Sequence, residues 1–220
     1  MIASPNTYIE HTNLKVDLID RDIDQLIAEA KSYDFKGLCI PPFWVKKAGR
    51  ELARSNVQLV TVVGFPFGYQ RTETKIKEIE LAIKDGVDEL DLVMNISAFK
   101  SGMNWPKIEM AKAAQLAHEN NKLLKVIVET ALLSVEELVV VCKTVSDAGV
   151  DFIKTSTGYA SRGASIQDIE IMKENISPNV GIKASGGIQS LEQLKRLIEA
   201  GAERIGTSSG VAIMKEYRDE

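Results

Sequence analysis

The sequence predicts an α/β protein folded as a single (β/α)8 barrel, and three observations carry that prediction. Eight strand-like runs alternate with eight helical patterns along the 220 residues, the order expected of repeated strand–helix crossovers and parallel strands. One helix-to-strand joint recurs three times, as Lys-Asp-Gly-Val-Asp-Glu-Leu from Lys84, Asp-Ala-Gly-Val-Asp-Phe-Ile from Asp147 and Glu-Ala-Gly-Ala-Glu-Arg-Ile from Glu199. The alternative, an open doubly wound sheet, usually shows edge strands and a glycine-rich dinucleotide loop after its first strand. Neither is visible here.

Strands are expected at Tyr8–Thr12, Gly37–Ile40, Gln58–Val63, Glu89–Val93, Leu123–Glu129, Phe152–Thr155, Gly181–Ser185 and Arg204–Thr207. Each is a short apolar run, most of them bounded by turn residues. Helices are expected at Asp22–Tyr33, Phe43–Ser55, Thr72–Asp85, Pro106–Asn120, Val135–Ala148, Ile166–Asn175, Leu191–Ala200 and, shorter, Ser209–Tyr217. Ser134 with Glu137 forms a capping box, and Ser190 with Gln193 suits another helix start. Gly86, Gly149 and Gly201 close three of the helices. No linker or low-complexity stretch divides the chain, so one domain is expected over residues 1–220.

Composition narrows the function classes. Hydrophobic residues make up 45% and charged residues 26%, ordinary values for a globular protein. The net charge of −4 comes without a basic block, which argues against nucleic acid as a partner. Cys39 and Cys142 are far apart and outside any Cys-x-x-Cys pattern, so neither a metal site nor a disulfide framework is indicated. The segment from Met1 to Asn6 lacks a signal-peptide pattern, and no apolar run is long enough to span a membrane. A cytoplasmic location without membrane attachment is expected.

In a barrel, alternate strand residues point inward and chemistry sits at the C-terminal strand ends. Alternation sends Glu10 and Thr12 inward, then Cys39, Asp91, Leu123, Lys125, Ile127, Glu129, Lys154 and Lys183, while Leu124, Val126 and Val128 meet the helices. Three lysines therefore share one mouth with Glu10, Asp91 and Glu129, where Val, Ile and Leu are usual. A self-neutralising ion network is one reading of this pattern. Amine catalysis is the sharper one. A lysine attacks a carbonyl only when part of it is unprotonated, and a second cation nearby favours the neutral amine; Lys154 and Lys183 on adjacent strands provide that pair. Asp91, across the mouth, can move protons directly or through a water. Gly186–Gly187, and Gly206-Thr-Ser-Ser-Gly210 before the last helix, offer backbone N–H groups and hydroxyls where barrels commonly hold phosphate.

These residues resemble the deoxyribose-phosphate aldolase family of class I aldolases. The resemblance rests on seven ordered motifs between Ile9 and Ile213: Glu10-His-Thr-Asn-Leu-Lys15, Gly64-Phe-Pro-Phe-Gly68, Asp88-Glu-Leu-Asp-Leu-Val-Met-Asn-Ile96, Leu124-Lys-Val-Ile-Val-Glu-Thr130, Phe152-Ile-Lys-Thr-Ser-Thr-Gly158, Gly181-Ile-Lys-Ala-Ser-Gly-Gly-Ile188 and Gly206-Thr-Ser-Ser-Gly210. It implies a TIM barrel that reversibly cleaves 2-deoxy-D-ribose 5-phosphate to D-glyceraldehyde 3-phosphate and acetaldehyde, with no metal or cofactor. It also implies Lys154 as the Schiff-base lysine, Lys183 as the neighbour that keeps it deprotonated, and Asp91 as the proton-transfer residue. By the same matching Gly186, Gly187, Ser208 and Ser209 hold phosphate, and Thr12, Cys39 and Lys125 form the pocket wall. A homodimer is a family-level expectation. Glu10 stands where the family more often has Asp, and Asn13 where it has Leu. Tyr159 stands where Phe is common. Arg162 is read as solvated, and a tyrosine near the C-terminus, here Tyr217, takes part in proton transfer in some members.

Overall fold

The computed structural model describes residues 4–219; Met1, Ile2 and Ala3 of the N-terminal stretch lie outside the described residues, as does Glu220. Eight parallel strands close a barrel in sequence order: β1 Ile9–Thr12, β2 Gly37–Ile40, β3 Gln58–Val63, β4 Glu89–Val93, β5 Leu123–Ile127, β6 Phe152–Lys154, β7 Gly181–Ser185 and β8 Arg204–Thr207. Around them run α1 Asp20–Ser32, α2 Val45–Leu52, α3 Thr72–Lys84, α4 Ile96–Lys100, α5 Trp105–Glu119, α6 Val135–Asp147, α7 Ile166–Asn175, α8 Leu191–Ala200 and α9 Gly210–Asp219. No helix among the described residues is long and apolar enough to cross a membrane.

The repeated joint works as its sequence suggests. Gly86, Gly149 and Gly201 have φ of +97°, +74° and +123°, a backbone region that side chains disfavour. After α3 and α8 the next residue donates back into the helix, Val87 N–H to Ala82 O at 3.1 Å and Ala202 N–H to Leu197 O at 3.0 Å, satisfying end carbonyls before the chain turns into a strand. The expected capping box forms at Ser134–Glu137, and the helix start expected at Ser190 is a second capping box, with Gln193.

Other boundaries shift for local reasons. The Phe43–Ser55 expectation splits into a 3-10 turn at Pro42–Trp44 and then α2, because Pro41-Pro42 fixes a tight entry. The five-residue α4 was absent from the sequence reading, since so short a helix has no measurable periodicity; Asn95 caps it by accepting from Ala98 N–H at 3.0 Å. β5 ends at Ile127, two residues early, and Glu129 takes a left-handed φ of +53°.

Outward strand residues, among them Leu38, Leu90, Leu124, Val126, Ile153 and Ile182, join the helices in the main apolar core. On one side of the barrel lumen Cys39, Val60 and Val62 pack with Leu14 and Phe65 in a small apolar cluster. At its lower end the Phe152 ring lies where a side chain on Gly181 would stand, with an ideal Cβ only 2.3 Å from the ring. Gly181→Ala is therefore expected to lower the unfolding free energy by about 1–3 kcal/mol through overpacking. Urea denaturation should give a lower midpoint at unchanged slope, partly recovered by adding Phe152→Leu. An unchanged midpoint would mean that Phe152 moves aside freely.

Candidate active site

The inward faces of β4 to β8 and β1 carry the charges. Asp91 and Lys125 are register partners on β4 and β5, and Lys154 and Lys183 on β6 and β7. Asp91 is the common acceptor. Its Oδ2 takes hydrogen bonds from Lys154 Nζ at 2.6 Å and Lys183 Nζ at 2.7 Å, and its Oδ1 one from Lys125 Nζ at 3.1 Å. Asp91 thus meets both catalytic candidates directly rather than across the mouth.

Glu10 and Glu89 complete the network. Lys183 also donates to Glu10 Oε2, and Lys125 lies 2.5 Å from Glu89 Oε2 and 3.5 Å from Glu10 Oε1. Beneath them Arg204 Nε is 3.8 Å from Glu10 Oε1, with its guanidinium 5.2 Å above the Phe152 ring. The longer Glu10 side chain, where the family more often has Asp, is what spans from Lys183 towards Lys125 and Arg204.

Burial sets the electrostatics. Desolvation alone would push the Asp91 carboxyl up, but the ammoniums of Lys125, Lys154 and Lys183 outweigh it and hold Asp91 well below the usual carboxylate range. Glu10 is lowered in the same way, against burial, by Lys125 and Lys183. For Lys183, burial favours the neutral amine, yet Asp91 and Glu10 hold it above its ordinary range; Lys125 is raised by the same contest. Burial, assisted by the Asp91 charge, pushes the Cys39 thiol up to about 11.

A cavity of about 310 Å³ opens over this network, and Lys154 borders it together with Thr12, Ser185, Gly186, Gly187 and Ser208. Gly186 and Gly187 both have positive φ, and the β6–α7 loop pins them: Ala164 N–H donates to Ser185 O at 3.0 Å and to Gly186 O at 3.2 Å. Gly163 meets Gly186 so closely that a Cβ would sit 2.0 Å from the Gly186 carbonyl oxygen.

Several expectations change place. Lys125 and Cys39 have no exposed surface and do not border the cavity; they form a floor beneath it rather than its wall. Ser209 faces a neighbouring cleft with His11 and Glu29 instead of the Lys154 cavity. Glu129, past the end of β5, accepts from Thr157 N–H at 3.1 Å and from its hydroxyl, and among the described residues no ion pair joins it to the lysines. Arg162 is not simply solvated: it pairs with Asp168 and donates to Thr130 O at 3.1 Å. Tyr217 packs against the core on the last turn of α9. Its neighbour Arg218 lies over Tyr33, the cap that ends α1, so this part of α9 is at the end of the barrel opposite the mouth. Glu89 and Arg204 went unread, although each stands two residues from an inward position.

A closed (β/α)8 barrel whose mouth presents a lysine beside a shared carboxylate and a second lysine is built for amine chemistry on carbonyl compounds. Over residues 7–216 the sequence matches the family model described as DeoC/LacD family aldolase. It is 47% identical over 210 residues to the deoxyribose-phosphate aldolase of Lactococcus lactis, covering 96% of this chain and 95% of that protein. Among solved structures it is similar to the aldolase QR15, with TM-score 0.94, 37% identity and coverage of 100% and 97% of the two chains. It is also similar to the deoxyribose phosphate aldolase from Aeropyrum pernix, described as having a unique tetrameric structure, with TM-score 0.91, 29% identity and coverage of 97% and 91%. The chain belongs to the DeoC/LacD aldolase family.

Removing the common acceptor should be costly. Asp91→Asn leaves three buried ammoniums short of a counter-charge and is expected to lower stability by about 3–5 kcal/mol at pH 7. Because the folded Asp91 carboxyl is held below its ordinary value of 3.8, its contribution is fully present above that pH and is lost as pH falls further. The stability gap between wild type and Asp91→Asn, measured by urea denaturation, should therefore be flat from pH 5 to 9 and narrow below about pH 3.8. A gap that narrows already near pH 6 would contradict this electrostatic assignment.

Proposed function

We propose that this chain reversibly cleaves 2-deoxy-D-ribose 5-phosphate to D-glyceraldehyde 3-phosphate and acetaldehyde through a Schiff base on Lys154. The observation that carries the reading is the sharing of Asp91 Oδ2 by Lys154 and Lys183 at 2.6 and 2.7 Å, directly below a cavity that Lys154 borders. Lys183 stands beside Lys154 on the adjacent strand as a second amine on the same carboxylate oxygen, and attack on the carbonyl is made by the Lys154 amine.

The open-chain sugar enters with its aldehyde over Lys154 and its phosphate towards Gly186, Gly187 and Ser208, whose backbone N–H groups and hydroxyl suit an anion. Lys154 Nζ adds to C1, and loss of water gives the iminium. A base removes the C3 hydroxyl proton, the C2–C3 electron pair moves into the iminium, and glyceraldehyde 3-phosphate leaves an enamine behind. Protonation of C2 and hydrolysis then release acetaldehyde and the free lysine. Asp91 suits the proton transfers once the amine has reacted. Its carboxylate, 2.6 Å from Lys154 Nζ, is within reach of the protons that move as the amine adds and water leaves. Thr12 helps to border the substrate, while Lys125, Cys39 and Glu10 support from below.

The phosphorylated sugar is the partner this cavity suits. A cytoplasmic enzyme assembled from two or more copies, with a homodimer as the simplest form, is the accompanying expectation.

Sodium borohydride reduction in the presence of acetaldehyde or 2-deoxyribose 5-phosphate, followed by intact-mass analysis and peptide mapping, tests the reading. An adduct on Lys154 is expected, with none in Lys154→Leu and a fall in kcat of about 10⁴-fold or more in that variant. A folded protein that gives no adduct would refute the mechanism.

A further inference from the structure

A second, larger hollow lies beside the Lys154 cavity. Its volume is about 770 Å³, and its lining is mainly apolar: Pro41, Trp44, Val62, Phe65 and Pro66, from the loops after β2 and β3 and from β3 itself. Tyr159, Leu14 and Lys15 border both hollows. Tyr159 lies in the β6–α7 loop, five residues after Lys154 at the end of β6. Its hydroxyl donates to Leu14 O at 3.1 Å, and its ring stands edge-on to Phe65 at 5.5 Å and 85°. The loop itself is anchored, since Tyr159 N–H donates to Thr157 Oγ1 at 3.0 Å and that hydroxyl is held by Glu129.

We propose that Tyr159 is a specificity-determining residue: with Leu14 it forms the wall that closes the Lys154 cavity against the apolar cleft, and so excludes unbranched alkyl aldehydes whose tails the cleft would otherwise accept. The proposal rests on the reading of Lys154 as the imine-forming lysine. Three features support it. The ring occupies the boundary rather than the floor of either hollow. Its two contacts, one polar and one aromatic, come from separate loops after β1 and β3, so the side chain latches them across the mouth. The cleft beyond offers aliphatic and aromatic surface, the environment that favours a methylene chain, and each methylene fully buried there is worth about fourfold in kcat/KM.

The test compares wild type, Tyr159→Phe and Tyr159→Ala in the aldol direction, with acetaldehyde as donor and either propanal or hexanal as acceptor, and reads the ratio of kcat/KM for hexanal to that for propanal. The alkyl tail of hexanal is longer by three methylenes, so opening the wall in Tyr159→Ala should raise the ratio by at least about tenfold. Tyr159→Phe, which keeps the ring and loses the tie to Leu14, should give a smaller rise. If Tyr159→Ala does not fold by circular dichroism, Tyr159→Val serves the same comparison. Borohydride trapping of acetaldehyde on Lys154 is run on the same preparations. Trapping with a ratio within twofold of wild type in the folded small-residue variant overturns the wall and leaves the aldolase reading standing; absence of trapping in wild type overturns both.

Discussion

One carboxylate, Asp91, sits where three ammonium groups converge inside a closed barrel. Buried together, Asp91 is held ionised by the lysines around it, and Lys125 and Lys183 by the carboxylates they share. That interdependence fixes much else. The strands must keep a register that brings β4, β5, β6 and β7 to one point, because a slip of one residue would turn every lysine outward into the helix layer. Glu10 and Glu89 must enter from their own strands to balance the lysines left over. Taken together, three carboxylates (Glu10, Glu89, Asp91) face Lys125, Lys183 and Arg204 besides Lys154, so the charges of the lumen balance when Lys154 reacts as the free amine.

Such a lumen is a poor way to make a barrel stable, since apolar side chains of similar volume usually do as well or better than buried ion pairs. The stability comes from elsewhere. The shell between strands and helices is almost wholly apolar and fully buried, with Leu90, Leu124, Val126, Ile153 and Ile205 at no measurable exposure. The division of labour explains how the interior can be given to chemistry: the outer core holds the strands in place, and the strands hold the charges. An apolar cluster in the lumen, at Cys39, Val60 and Val62, lies on β2 and β3, the strands that contribute no charge to the network.

What the sequence made legible follows from period. Strand alternation is a rule of two, strong enough to place Lys125, Lys154, Lys183, Asp91 and Glu10 in one lumen before any coordinates, and the recurring Gly-closed joint supplied the order of the strands. Features that depend on where a strand stops were harder to read. Glu129 belongs to the same alternating series as Lys125, yet the strand ends two residues earlier and a left-handed turn sends its carboxylate to Thr157. Arg162 was similarly opaque, because its partner Asp168 is on the next helix and the pairing depends on how the loop folds back. Arg204 and Glu89 were legible in principle, as strand-initial residues in phase with Gly206 and Asp91. Charged residues at strand starts are ordinarily solvated, and only a closed lumen makes them count.

The same distinction between strand and loop separates reaction from selectivity. Lys154, Lys183 and Asp91 stand on strands tied to both neighbours, where side-chain position is fixed to the tolerance that proton transfer requires. The walls of the cavity are loops, joined to one another by few contacts: Ala164 to Ser185 and Gly186, Gly163 against Gly186, Tyr159 to Leu14 and Phe65. Replacing a strand residue therefore disturbs charge balance throughout the lumen, whereas replacing a loop residue changes only what the cavity is next to. A family that shares the strand residues can accordingly keep one chemistry while its loops alter which aldehyde is admitted. In this chain one wall of the cavity is built by Gly163 and Gly186, which approach each other backbone to backbone, leaving little freedom there. Tyr159 is a side chain that stands between two hollows of unequal size.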